Sequence, residues 1–184
     1  MVYCGAMIRS LSFLPVLACL AWAADAPTVA QLYDSPIAGV EREVVSLAEA
    51  MPAAKYDFAP AAGEFKGVRS FAQQVKHLAA VNYMVAAAAQ QVKPPVDTGG
   101  ENGPASVASK EQIVQYLKAS FAYCHKAALT LTAANQTELV DSPFGNGKTA
   151  RGALLSIAVS HSFDHYGQMA VYARMNGVVP PASR

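Results

Sequence analysis

An excess of either charge is missing from this chain: 14 Lys and Arg stand against 13 Asp and Glu in 184 residues. Arg9 is the only charged side chain before Asp25, so removing the first 24 residues leaves 13 basic against 13 acidic groups. No basic stripe remains to neutralise phosphates, which argues against a nucleic-acid partner. Cysteine is scarce too. Of the three, Cys4 and Cys19 lie in the N-terminal apolar stretch, leaving Cys124 alone. A domain with one thiol has no internal disulfide, so its core must hold it together. Cys124 falls in Phe121-Ala-Tyr-Cys-His125 on a predicted helix, where a buried, inert thiol is expected. A run long enough for a membrane is also lacking. The extended apolar stretch Leu11–Trp22 has 12 residues, against the ~20 that a spanning helix needs.

That stretch follows Arg9 and leads into Ala21-Trp22-Ala23, which offers small residues at the two positions signal peptidase reads. Residues 1–24 therefore read as a secretory signal peptide, cut near Ala23 or Ala24, and residues 25–184 as an exported domain, periplasmic or secreted. Met7 is an alternative start. Two other readings compete: lipoprotein processing at Cys19, and an uncleaved anchor. The apolar stretch continuing past Cys19 weighs against the first, and the short run against the second.

What is present is apolar and rich in alanine. Apolar residues make up 53% and charged ones 15%, which rules out a disordered polymer. Alanine-rich segments with few β-branched runs favour helix. The first predicted helix runs from about Pro36, with Ser35 as N-cap, to Met51. Ile37, Val40, Val44, Leu47 and Ala48 line its inward face. The second spans about Val68 to Gln91, with Phe71, Val75, Leu78, Val81 or Asn82, and Val85 inward. A Gly/Pro-rich crossover follows, from Lys93-Pro-Pro through Asp97 to Pro104. Ser109 and Gln112 form a capping-box signature for a third helix, to about Ala134. Residues 137–147 read as a polar turn region. The fourth helix extends from about Thr149 to Met175 and stops at Asn176-Gly177. Four amphipathic helices and no convincing strand specify an all-α, four-helix bundle. The crossover is long enough for helices two and three to run parallel, although loop length alone leaves the topology open.

The fourth helix carries an anomaly. Its inward stripe reads Leu154, Ile157 or Ala158, His161, His165, Gln168 or Met169, and Tyr172. Two imidazoles at i and i+4 stand one turn apart on the core face, close enough to share an ion. Neutral imidazole suits zinc, nickel or iron. Such a pair also arises by chance, with a ring exposed or bonded to a backbone carbonyl. A zincin helix would need Glu where Ser162 stands, and a di-iron bundle would need inward Glu residues that are absent here. His77, mid-helix beside Gln74, Val81 and Met84, supplies a third imidazole if it faces the other two; otherwise it is a surface histidine beside Lys76. Three nitrogens would leave coordination positions open. Affinity for metal should then fall as pH drops through about 6.

His161-Ser-Phe-Asp-His165-Tyr-Gly-Gln168, with the tail through Ser183, resembles the C-terminal helix of DinB-family proteins. Phe71-Ala-Gln-Gln-Val-Lys-His77 resembles that family's second helix, and Lys55-Tyr-Asp-Phe-Ala-Pro60 the link before it. The resemblance covers about Ser35 to Ser183. It implies an up-down-down-up bundle with one divalent metal on His77, His161 and His165. It also implies chemistry of the thiol-transferase or hydrolase type on a small-molecule substrate. Many relatives have His or Arg where this chain has Asp164 and Tyr166. Asp164 is a candidate acceptor for the His161 ring, although its position is rotated off the stripe and a solvent-facing role competes. Gln168 and Tyr172 are pocket candidates, with packing an equal account of Tyr172. His125 has no role in the pattern. A non-catalytic metal- or ligand-binding bundle is the alternative function, and a homodimer is admitted.

Overall fold

Among the described residues, Ser/Thr-x-x-Gln boxes start three of the four α-helices. In each, the hydroxyl of Thr28, Ser70 or Ser109 accepts from a backbone N–H three residues on. Gln31, Gln73 or Gln112 accepts in return from the N-cap N–H. Each box satisfies two donors that a helix start leaves without partners. The computed structural model describes Met1 and residues 26–184. The expected signal segment, with Cys4 and Cys19, lies outside the described residues save for Met1. The helices are α1 (Val29–Ala50), α2 (Phe71–Ala89), α3 (Lys110–Ala128) and α4 (Arg151–Met175). No helix among the described residues is long and apolar enough to cross a membrane.

Two boundaries differ from expectation by more than a turn, and α2 starts three residues later than expected, behind its Ser70 cap. α1 starts at Val29 rather than Pro36, because the Thr28 box outcompetes the Ser35-Pro36 signal. Pro36 then lies inside the helix and cannot donate to the carbonyl four residues back. Its face is exposed, so water can satisfy that carbonyl. α3 ends at Ala128 rather than near Ala134, yet Leu131 still packs into the core. Where no strand was expected there is a small hairpin, β1 (Leu139–Asp141) in the turn region and β2 (Lys148–Ala150) at the expected start of the fourth helix, with Val140 opposite Thr149. Strands of three residues are too short for alternation to register in sequence.

Side-chain pairs fix the direction of each helix. Lys110 at the α3 start donates to the Glu49 carbonyl at the α1 end, and His125 near the α3 end meets Asp34 near the α1 start, so these helices are antiparallel. α2 and α4 are antiparallel as well, since Gln74 bonds Gln168 and the Arg151 side chain bonds the Ala89 carbonyl. Tyr83 of α2 packs against Tyr116 and Tyr123 of α3, and Asn82 bonds Ser120. The apolar groove between the α1 and α4 starts, with Tyr33 beside Leu155, runs those two helices parallel. The bundle is therefore up-down-down-up, and the crossover after α2 returns along the whole length.

α2 is the central element. It packs on both α3 and α4, and the crossover covers part of what remains. Fifteen of its 19 residues are buried, and Ala79, Ala80, Ala86 and Ala87 among them keep the approach of neighbours close. Phe71, Val75, Leu78 and Val85 are fully buried, as the periodicity predicts. Each such side chain contributes about 1.5–3 kcal/mol by leaving water. The link before α2 also contributes, since the carbonyls of Phe58 and Tyr56 accept from the N–H groups of Phe71 and Ala72.

Candidate metal centre

His77 lies two turns into α2, and α4 runs antiparallel past it, presenting His161 and His165 from successive turns. The three rings meet inside the bundle. His161 Nε2 is 3.1 Å from His77 Nε2 and 3.1 Å from His165 Nε2. The rings stand edge to face, with interplanar angles of 65°, 71° and 80°, rather than stacking. His77 and His165 are 5% and 6% exposed, so neither is a surface histidine.

The outer ring nitrogens decide which way the lone pairs point. His77 Nδ1 donates to the Glu101 carbonyl of the crossover, and His165 Nδ1 donates to Gln74 Oε1. A carbonyl oxygen can only accept, so both Nδ1 atoms carry hydrogen and both Nε2 atoms carry lone pairs. Those lone pairs, with Nε2 of His161, converge on one point. Protons do not relieve the repulsion. Burial, then the neighbouring His165 and His77 charges, hold His161 down at about 4, and burial with the His77 charge does the same for His165. His77 is lowered as well, chiefly by burial. A cation that accepts nitrogen lone pairs fits the donor set. Two nitrogens bound at ~2.0–2.1 Å to one ion stand about 3 Å apart, and the group can hold a metal ion.

The His165 anchor continues outward. Gln74 Nε2 donates to Gln168 Oε1 at 2.8 Å, and Gln168 Nε2 donates to Asp164 Oδ2 at 3.1 Å. Asp164 is thus exposed and engaged with Gln168, and it does not orient the His161 ring as its spacing suggested it could. The buried Nδ1 of His161 has no partner at all. Gln168 is on the site side of α4 and takes part in this chain. Tyr172 belongs to the core instead, buried with its ring 5.8 Å from Phe58 in an edge-on contact. His125 is structural. Its Nδ1 and Nε2 reach Asp34 at 2.6 Å and Glu41 at 3.0 Å, tying α3 to α1.

Sequence reasoning missed Glu101 as a partner, because a main-chain carbonyl leaves no residue-type signature. Gln74 was visible as a neighbour one turn before His77, but its bond to His165 depends on the α2–α4 register. Cys124 is fully buried, and its Sγ lies 3.5 Å from the Asn82 carbonyl. Burial pushes the thiol far above its ordinary range, which makes it inert as expected.

A family model described as the DinB superfamily matches residues 37–169. Among solved structures, a conserved protein from Enterococcus faecalis is similar at TM-score 0.64 and 19% identity, covering 82% of this chain and 98% of its own. A DinB-like protein from Bacillus subtilis is similar at TM-score 0.61 and 20% identity, covering 79% and 92%. Another DinB-like protein, from Bacillus cereus, is similar at 0.60 and 16%, covering 81% and 93%. At these identities the likeness is one of fold. No curated protein matches the chain.

Proposed function

The chain belongs to the DinB superfamily, and from that premise we propose that it binds one divalent metal ion through His77, His161 and His165 and uses it in catalysis of the thiol-transferase or hydrolase type. The observation that carries this reading is the convergence of three Nε2 atoms, two of them fixed as lone-pair donors by Glu101 and Gln74. Zinc, nickel and iron all accept such nitrogens. Bound there, the ion supplies Lewis acidity, lowering the proton affinity of a thiol or water beside it.

The protein's own groups do the rest. The Glu101 carbonyl and the Gln74 amide hold two rings in one tautomer and one orientation, so little reorganisation accompanies binding. Three protein nitrogens leave room in the coordination sphere for a ligand. The buried rings also keep their lone pairs free at neutral pH, since burial disfavours protonation.

One observation favours a second reading, a non-catalytic metal- or ligand-binding bundle. Among the described residues no carboxylate joins the histidine group, and Asp164 is already occupied by Gln168. The same proposal takes residues 1–24 as a cleaved signal and the protein as exported. It takes the partner as a small molecule rather than nucleic acid, in keeping with the balanced charge, and it admits a homodimer. The test is elemental analysis of the purified protein beside His161→Ala, His165→Ala and the triple His→Ala variant. One metal per wild-type chain and none in the variants is expected; full retention in the variants refutes the assignment. A screen of thiol and ester substrates on the loaded protein then separates the two readings.

A further inference from the structure

A cavity of about 770 Å³ opens beside the histidine group, lined by residues that include Arg69, Gln73, Gln74, Lys76, Asn102 and Gln168. That volume suits a small organic molecule. Its polar groups are unevenly committed. Each of its four side-chain amide oxygens already accepts a hydrogen bond. Gln73 Oε1 takes the Ser70 N–H, Gln74 Oε1 takes His165, Asn102 Oδ1 takes Arg69, and Gln168 Oε1 takes Gln74. What remains is a set of donors: the amide nitrogens of Gln73 and Asn102, the Arg69 guanidinium and the Lys76 ammonium. None of the ion pairs among the described residues uses Arg69 or Lys76. The Arg69 bond to Asn102, at 3.5 Å, is long and leaves most of the fork free.

The two cations are held in place by the fold. Arg69 immediately precedes the Ser70 cap of α2, and Lys76 adjoins His77. At Gly103 the crossover passes so close that a Cβ there would lie 3.0 Å from Lys76 Cβ and 3.1 Å from its Cε. The lysine stem is therefore packed along the loop rather than free to swing. Arg69 is near enough to the three rings for its charge to lower the proton affinity of each.

A cavity whose unbonded polar groups are donors and cations, while each amide oxygen already accepts one hydrogen bond, suits an anion. We propose that this cavity binds a small organic oxyanion, a carboxylate or a phosphate ester, gripped by Arg69 and Lys76. The inference extends the metal reading by naming the substrate class, and it rests on that reading only for the ligand's being a substrate, since the cavity adjoins the histidine group through Gln74. The anion contact itself stands independently.

Calorimetric titration with succinate and with inorganic phosphate tests it, on protein as purified and after EDTA treatment, with metal content measured in the same samples. We expect saturable one-to-one binding of at least one probe, weakened about tenfold or more in Arg69→Gln/Lys76→Gln, with metal content unchanged. Preference for succinate identifies a carboxylate ligand, and preference for phosphate a phosphorylated one. Absence of saturable binding to wild type, or a smaller loss in the variant, overturns the proposal. If the double variant loses its helical circular dichroism, Arg69→Gln alone is held to the same threshold. Failure of the metal reading shows separately, as protein without metal whose anion binding still depends on Arg69.

Discussion

The side-chain oxygen of Gln74, on α2, accepts the Nδ1 proton of His165, on α4. Their positions lie 91 residues apart in sequence, so the bond exists only when the two helices are in register. Replacing Gln74 by Leu keeps much of the volume and removes the acceptor. Metal affinity should fall about 10–100-fold, as is usual when an outer partner of a ligating histidine is lost. Gln74→Glu, which retains an acceptor, should recover most of it. Competition against a chromophoric chelator measures both, and an unchanged affinity in Gln74→Leu contradicts the role.

Gly99 permits the crossover to carry the Glu101 carbonyl to His77. Its φ is +57°, and an added Cβ would run into the backbone carbonyl of Gly103. Gly99→Ala should therefore cost about 1–3 kcal/mol, from left-handed strain and forced displacement of the loop. It should also weaken metal binding by moving Glu101. Chemical denaturation and chelator competition should shift together; loss of stability with intact affinity would detach the loop from the site.

Two sets of histidines should give pH dependences of opposite sign. His161 and His165 are lowered to about 4 by burial and by neighbouring ring charges. In metal-free protein their contribution is complete above the unfolded value of about 6.5. It is lost as pH falls through about 4. The same shift moves proton competition with metal from about 6, as the residue type alone suggests, to lower pH. Denaturation in EDTA at a series of pH values checks the first point, and metal titrations check the second. A sharp loss of affinity near pH 6 would show that the rings titrate as exposed ones.

His125 behaves in the other direction. Burial lowers its proton affinity, but the hydrogen bonds and charges of Asp34 and Glu41 outweigh that, and the net shift is upward. Two carboxylate acceptors, one at each ring nitrogen, require the imidazolium. Its contribution is complete below about 6.5 and is lost as pH rises through the raised value. His125→Gln should cost about 1–2 kcal/mol at pH 6 and less at pH 9. Equal losses at both pH values would mean that the ring acts by packing alone.

Cys124 should resist modification. Its side chain is fully buried on α3 and its thiol is pushed far up by burial. Native protein should react with Ellman's reagent at least ~100-fold more slowly than unfolded protein, since reaction waits on opening. Prompt labelling of native protein would contradict this.

Much of the bundle was legible because helix signals are local. The inward positions Ile37, Val40, Val44, Leu47, Phe71, Val75, Leu78 and Val85 are all buried, as a 3.6-residue period requires. The start of α1 differs because a second local signal, the Thr28 box with Gln31, caps the chain ahead of Ser35-Pro36. The β1–β2 hairpin gave no periodic signal at its length. At the site, residue type and spacing brought out the histidines, and the family resemblance joined His77 to the other two. Spacing could not tell which way Asp164 turns, since its exposed carboxylate bonds to Gln168 one turn later. Nor could it show that Tyr172 lies against Phe58 instead of lining a pocket. These depend on neighbours distant in sequence.

The separation of His77 from His161 has a mechanical side. The two positions lie 84 residues apart, and their nitrogens approach to 3.1 Å across two helices that the long crossover and α3 separate in the chain. In a domain whose single described thiol is sequestered, an ion held between them would act as a reversible staple, closing a large loop without a covalent bond. Removing it with a chelator should loosen the α2–α4 seam before the α1–α3 seam, which the carboxylates around His125 clasp on their own.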